Sequence, residues 1–425
     1  MKEFLATIIS AVMILSGCAS DYVHEALPTE PTVAVEDTRA QDILDAMSLD
    51  EKICQMMFVT PEAITGESAT VQAGEATKAA LEKYGVGGII YFAKNIKTRE
   101  QVISMIDATQ SYSKIPLFIG VDEEGGRVAR VAGNSNMKTT KLKPMAKVYT
   151  DTEAYEIGKT LGSDLSALKF NLDFAPVADV IISKKNSEIG DRSFGTDAWV
   201  VGEMVSAVVK GLEEKNVCSV LKHFPGHGST TVDSHTGYSA SYRTIDELRA
   251  CEFLPFKKGI EAGSDFVMVS HMTLVNATEE KLPCSLSKEV VTGYLKGELG
   301  FEGIVITDAL NMGAIAENYA NSTAAVYAIK AGVDMLLMPP SVEEARAAIQ
   351  SAVESGEITE ERINESVKKI LKIKIEKGII KKSAVVRTFL LHSILENAII
   401  RYKRRLFYVC WNRLGNILGE DASLR

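Results

Sequence analysis

The chain has 425 residues, of which 46% are hydrophobic and 24% charged, with 31 Gly and 11 Pro. These proportions exclude a disordered, collagen-like or polytopic membrane protein and fit a globular chain. A formal net charge of −9 gives no general attraction to nucleic-acid phosphates, and six cysteines are too few and too scattered for a disulfide scaffold.

The two ends differ from this average. After Met1 and Lys2 an apolar run, Phe4 to Leu15, is too short to span a bilayer and suits the core of an export signal. It closes on Leu15-Ser16-Gly17-Cys18. Small residues before a cysteine resemble a bacterial lipobox, which would make Cys18 a lipidated amino terminus and anchor the protein on the extracytoplasmic face of a membrane. A cleaved secretory signal or an uncleaved anchor are the other readings. Residues 19–39, with Pro28 and Pro31, read as a tether. Cys54, Cys218, Cys251, Cys284 and Cys410 remain, an odd number expected to be mostly buried thiols. Residues 381–425 carry nine Lys/Arg against three Asp/Glu. This basic tail reads as a membrane-surface helix, as a poorly ordered extension, or as the product of an altered reading frame after residue 380.

Between residues 40 and 380 short apolar, β-rich runs begin near Ile53, Val86, Pro116, Leu172, Cys218, Phe266, Ile304 and Val333. Segments of helical period lie between them: Glu75–Tyr84, Arg99–Ser111, Thr152–Leu168, Val200–Glu214, Ile245–Glu261 and Val342–Glu354. Strands alternating with helices predict parallel β-α units, and eight of them predict a single α/β domain, a (β/α)8 barrel. The long interval from Pro116 to Leu172 leaves room for an insertion or an extra hairpin. A closing helix is expected at Arg362–Lys377. The rival is an open doubly wound sheet, weakened by the lack of a glycine-rich dinucleotide turn after any strand.

A barrel places its chemistry at the C-terminal ends of strands. Four runs end there in ionisable residues: Asp122-Glu123-Glu124, Lys222-His223, His271 and Asp308. His223 and His227 have i, i+4 spacing, but Pro225, Gly226 and Gly228 make the segment a loop, so no metal site is expected. The same glycine- and Ser/Thr-rich loop carries Asp233-Ser234-His235. An Asp two residues from a His can accept a hydrogen bond from the imidazole and fix its tautomer, which suits a general acid/base on a mobile loop. An incidental surface pair is the plainer reading of that loop alone. Asp308, closing an apolar strand, reads as a functional carboxylate or as a helix cap, and the two are compatible.

These segments together resemble glycoside hydrolase family 3, and within it the β-N-acetylglucosaminidase subgroup. The resemblance covers about residues 40–380. It is carried by Lys222-His223-Phe224-Pro225-Gly226-His227-Gly228 with Asp233-Ser234-His235, and by Ile306-Thr307-Asp308-Ala309-Leu310. Asp122 with Glu124-Gly125-Gly126-Arg127-Val128 and Arg130, Phe174-Ala175-Pro176-Val177-Ala178-Asp179, and Ile189-Gly190-Asp191-Arg192-Ser193-Phe194 add to it. The resemblance implies a barrel fold and no cofactor. It implies Asp308 as a nucleophile forming a glycosyl-enzyme intermediate, and Asp233 and His235 as an acid/base dyad. It implies Asp122, Arg130, Arg192, Lys222 and His223 as groups that bind sugar hydroxyls, with His271 nearby. Where the family normally has Gln this chain has Glu123, and where the subgroup often has Asp it has Ser229.

Most retaining glycosidases use two carboxylates, one as nucleophile and one as acid/base. Here a histidine would take the second part, with Lys222 and Arg192 keeping Asp308 ionised. The expected substrate is a β-linked N-acetylhexosamine, from cell-wall or chitin-type fragments, and the expected state a monomer. A β-glucosidase or β-xylosidase, a phosphorylase of the same family, and an inactive sugar-binding lipoprotein are the alternatives.

Overall fold

The computed structural model describes residues 32–230 and 239–381. Cys18, the Asp233–His235 pair, Cys410, most of the tether and the basic tail from residue 382 lie outside the described residues.

Eight parallel strands form the core, each hydrogen-bonded to the next in the chain. They are β1 (Met57–Val59), β2 (Gly88–Ile90), β3 (Phe118–Val121), β6 (Leu172–Asp173), β7 (Cys218–Phe224), β9 (Phe266–Val269), β11 (Ile304–Thr307) and β12 (Leu336–Leu337). β12 pairs with β1, Met57 opposite Leu336, and the circle closes through the parallel bridge of Ile306 with Met335. The strands are apolar and buried on both faces, as a parallel sheet covered by helices requires. Edge-to-face pairs fill the interior, Phe58 with Phe174 at 5.3 Å and Phe118 with Phe266 at 5.1 Å between centroids.

Of the two readings of the long third interval the structure has the hairpin, β4 (Glu123–Gly125) antiparallel to β5 (Val128–Ala129). Gly125 and Gly126 turn it with φ of 87° and 56°, a left-handed region that favours glycine. A further parallel pair, β8 (Ala240–Thr244) with β10 (Thr273–Asn276), lies beyond the barrel strands β7 and β9.

Three boundaries differ from the sequence reading. The run at Ile53 is helical, Leu49–Gln55, because Ser48 and Glu51 form a reciprocal capping box that starts a helix there. The strand follows at Met57. The helical segment 245–261 is two helices, Ile245–Ala250 and Phe253–Glu261. The break turns Glu252 inward, fully buried, where Arg243 pairs with both its oxygens at 2.9 and 3.0 Å. Finally, the chain is helical from Thr32 to Asp45, inside the stretch read as tether. Ala40, Ile43, Leu44 and Met47 are buried at helical spacing, and the helix packs against the closing helix Glu360–Glu376. Among the described cysteines all four are free thiols, and Cys54, Cys218 and Cys284 are buried.

Backbone bonds join β11 to the segment of β12, Met335 to the Val305 carbonyl at 3.0 Å and Thr307 to the Met335 carbonyl at 3.1 Å, and side chains reinforce the seam. Asp334, 1% exposed, accepts from the Val305 amide at 3.0 Å and from Ser366 Oγ at 2.6 Å. It also pairs with Lys296 at 3.2 Å and Arg362 at 3.5 Å. Thr307 Oγ1 accepts from the Leu337 amide at 3.0 Å. Burial alone would raise the Asp334 carboxyl, but Lys296, Lys369 and Arg362 outweigh it and hold it below the usual range. Its stabilisation is therefore present above the unfolded carboxyl range and is lost as pH falls through the lower folded value. Asp334→Ala should cost about 3–5 kcal/mol in urea unfolding at neutral pH, since it strands two cations beside an opened seam. The gap from wild type should narrow in acid.

Candidate active site

The C-terminal ends of the strands open into a cavity of about 660 Å³. Its lining includes Asp122, Glu124, Arg130, Arg192, Lys222, His223 and Asp308. Six of the expected site residues thus meet in one place, supplied by the ends of β3, β7 and β11, by the hairpin and by the turn at Gly190–Arg192.

Their charges interlock. Lys222 Nζ lies 2.7 Å from Asp122 Oδ1 and 2.6 Å from Glu124 Oε1. Arg192 grips Glu124 through two parallel bonds, Nε to Oε2 at 2.7 Å and Nη2 to Oε1 at 2.8 Å. Such forked pairing fixes orientation as well as charge. Burial works against an ionised Glu124, yet Lys222 and Arg192 overcome it and bring its carboxyl down to about 2. Burial likewise opposes the charge on Lys222, and Asp122 and Glu124 restore it, raising the ammonium above its ordinary value. The two cations that the sequence assigned to Asp308 are therefore paired with Glu124.

A second carboxylate orders the histidines. Asp179 is fully buried, accepts from His223 Nδ1 at 2.7 Å and from the His227 backbone amide at 2.6 Å. Burial pushes its carboxyl up, and His223 foremost pulls it down below the usual range. With Nδ1–H donated to Asp179, His223 presents Nε2 toward Arg192 Nη2, 3.4 Å away. His227 Nδ1 meets Thr230 Oγ1 at 2.9 Å, so the i, i+4 histidines serve two different hydrogen-bond partners. Gly228 is pressed against the segment 180–183, where a Cβ would stand 1.8 Å from the Val180 carbonyl. Its carbonyl accepts from the Ile182 and Ser183 amides at 3.1 and 3.0 Å. This packing roots the chain just before it leaves the described residues at Thr230.

Asp308 follows β11, its amide donating to the Val269 carbonyl at 2.9 Å and its Oδ1 accepting from the Ala309 amide at 2.8 Å. His271 does not line the cavity. Its Nδ1 meets Ser285 Oγ at 2.8 Å and its Nε2 meets the Ala309 carbonyl at 3.0 Å. Burial lowers its pKa, so the ring stays neutral, donates from Nε2 and accepts at Nδ1. It thus braces the backbone next to Asp308.

Residues 48–373 match the glycosyl hydrolase family 3 N terminal domain. The chain belongs to glycosyl hydrolase family 3. This family 3 chain is 34% identical over 322 residues to a Beta-hexosaminidase A of Pseudoalteromonas piscicida, covering 69% of this chain and 54% of that one. It thus spans about half the length of that relative. A Beta-hexosaminidase of Stenotrophomonas maltophilia (strain R551-3) is 35% identical over 280 residues, covering 64% of this chain and 82% of its own length. Among solved structures, the family 3 β-N-acetylglucosaminidase from Paenibacillus sp. str. FPU-7 superposes with a TM-score of 0.74 at 34% identity. That match covers 80% of this chain and 64% of the other.

Glu124 and Asp179 were not singled out as site residues by chemistry in the sequence. A signal existed for the first. Along a strand, alternate residues share a face, so Asp122 and Glu124 point together and Glu123 points away. Glu124→Gln should leave Lys222 and Arg192 undercompensated in a buried site. The expected result is a loss of substrate affinity or turnover by roughly two orders of magnitude, in line with breaking a buried charge pair. Wild-type Glu124 stays ionised until pH falls toward about 2, so this network should not shape the neutral pH profile.

Proposed function

We propose that the chain is a retaining exo-β-N-acetylglucosaminidase acting on terminal β-linked N-acetylhexosamine. The observation that carries this reading is the meeting of Asp308 with the Asp122–Lys222–Glu124–Arg192 network in one cavity. Support for the sugar class comes from relatives named Beta-hexosaminidase. Asp122, Lys222, Arg130, Arg192 and His223 offer the donors and acceptors that a polyol ring needs.

In this reading an Asp308 oxygen attacks the anomeric carbon as the bond to the leaving oxygen breaks. The His235 imidazolium gives that oxygen its proton, and Asp233 holds the ring and balances its charge. The neutral imidazole then takes a proton from water, which releases the sugar from Asp308 with retained configuration. Cys18 lipidation would place the enzyme, as a monomer, on the extracytoplasmic membrane face, where fragments of peptidoglycan are the nearest substrates.

A chromogenic β-N-acetylglucosaminide should be cleaved, and Asp308→Ala should lower kcat by roughly four orders of magnitude or more. Full activity in that variant, or an inverted anomer seen by NMR, would sink the assignment. His235→Ala should slow substrates with poor leaving groups far more than activated ones, and equal losses on both would count against a proton donor. Product formation that requires inorganic phosphate would replace hydrolysis with phosphorolysis.

A further inference from the structure

Glu123 sits between two residues of the charged network, yet its side chain does not line the cavity. It is 4% exposed and faces the other side of β4. Its carboxylate accepts from two consecutive backbone amides, Val131 at 2.6 Å and Ala132 at 3.1 Å. These residues directly follow Arg130, whose own amide donates to the Asp122 carbonyl at 3.3 Å. The Arg130 side chain lines the cavity, and its buried Nε has no hydrogen-bond partner among the described residues. The backbone on either side of Arg130 is thus what directs the side chain.

We propose that Glu123 is a positioning residue for Arg130: by gripping the Val131 and Ala132 amides it fixes the turn from which Arg130 reaches the bound sugar. This rests on reading the cavity as a sugar site. Arg130 on its own hairpin lowers the Glu123 carboxyl, and Asp164 on the helix Asp151–Ser166 raises it. Asp173 on β6 is the neighbouring carboxyl; burial raises it well above its ordinary value, Glu123 and Asp122 add to that, and Lys222 on β7 opposes it. Asp173 Oδ1 accepts from the Glu123 amide at 3.0 Å.

Burial raises the Glu123 carboxyl to about 7, with the two amides and Arg130 offsetting only part of it. Above that pH both amides meet a carboxylate. Below it one oxygen carries a proton and a charge-assisted bond weakens. Arg130 is then held less firmly, and because it binds rather than reacts, KM should move more than kcat.

The test compares wild type with Glu123→Gln on a chromogenic β-N-acetylglucosaminide, one pH unit above and one below 7. Hydrogen exchange of the Val131 and Ala132 amides, corrected for intrinsic rate, is followed over the same window. Wild-type KM should rise about fivefold toward acid, while the change in kcat that His235 governs should be the same in wild type and Glu123→Gln, and exchange of both amides should quicken in step with KM. In Glu123→Gln, which cannot titrate, KM should stay near the acidic wild-type value and exchange should be flat. A variant that keeps the wild-type pH dependence of KM overturns the proposal. So does wild-type protection of the two amides that does not change across the window, a measurement that needs no variant. If wild type cleaves no such glycoside, the functional reading falls, and the exchange measurement still decides the role of Glu123.

Discussion

Glu124 holds a negative charge with its side chain 2% exposed, between Lys222 and Arg192, themselves 3% and 12% exposed. Removing three charges from water costs several kcal/mol for each ion, and only close, well-directed pairing offsets it. The partners come from the hairpin after β3, from β7 and from the turn at Gly190–Arg192, segments that sequence separates by up to 98 positions. They meet only when the barrel strands have their native order and register. The network is therefore tied to the correct closure of the fold, and the site inherits its rigidity from the sheet.

From this centre the order spreads along the end of β7 and into the segment that follows it. Arg192 touches His223, His223 bonds Asp179, and Asp179 also holds the His227 amide. Asn186 donates to the His227 carbonyl at 2.8 Å, and Thr230 bonds the His227 ring. The segment up to Thr230 is thus held by the same hydrogen bonds that organise the charges of the cavity.

Much of the fold was legible because a buried parallel strand leaves a bare apolar run and each crossover helix leaves a 3.6 period. The helices Glu75–Tyr84 and Val342–Glu354 have the boundaries that pattern gives. The reading failed where a local signal competed with composition. At Ile53 a capping box outweighs an apolar stretch, and at Cys251 a buried Glu252–Arg243 pair interrupts a continuous helical period. In the site, Asp122, Lys222, His223 and Asp308 stood out as charges at strand ends. Pairing did not, because it depends on distance across the barrel. Nothing along the chain says that Lys222 and Arg192 turn toward Glu124, or that His271 spends both nitrogens on Ser285 and Ala309.

Strand order also divides the cavity wall. Barrel neighbours are chain neighbours, so Asp122, Glu124, Arg192, Lys222 and His223, following or ending β3, β6 and β7, form one continuous polar arc. Phe92 follows β2, Met312 follows β11 and Met338 follows β12, which makes the facing arc, from β11 through β12 and β1 to β2, largely apolar. Asp308 stands on that second arc. The polar arc spends Lys222 and Arg192 on Glu124. The cavity thus pairs these cations with carboxylates of its own polar arc, while Asp308 enters from the end of another strand, two places along the barrel from Lys222.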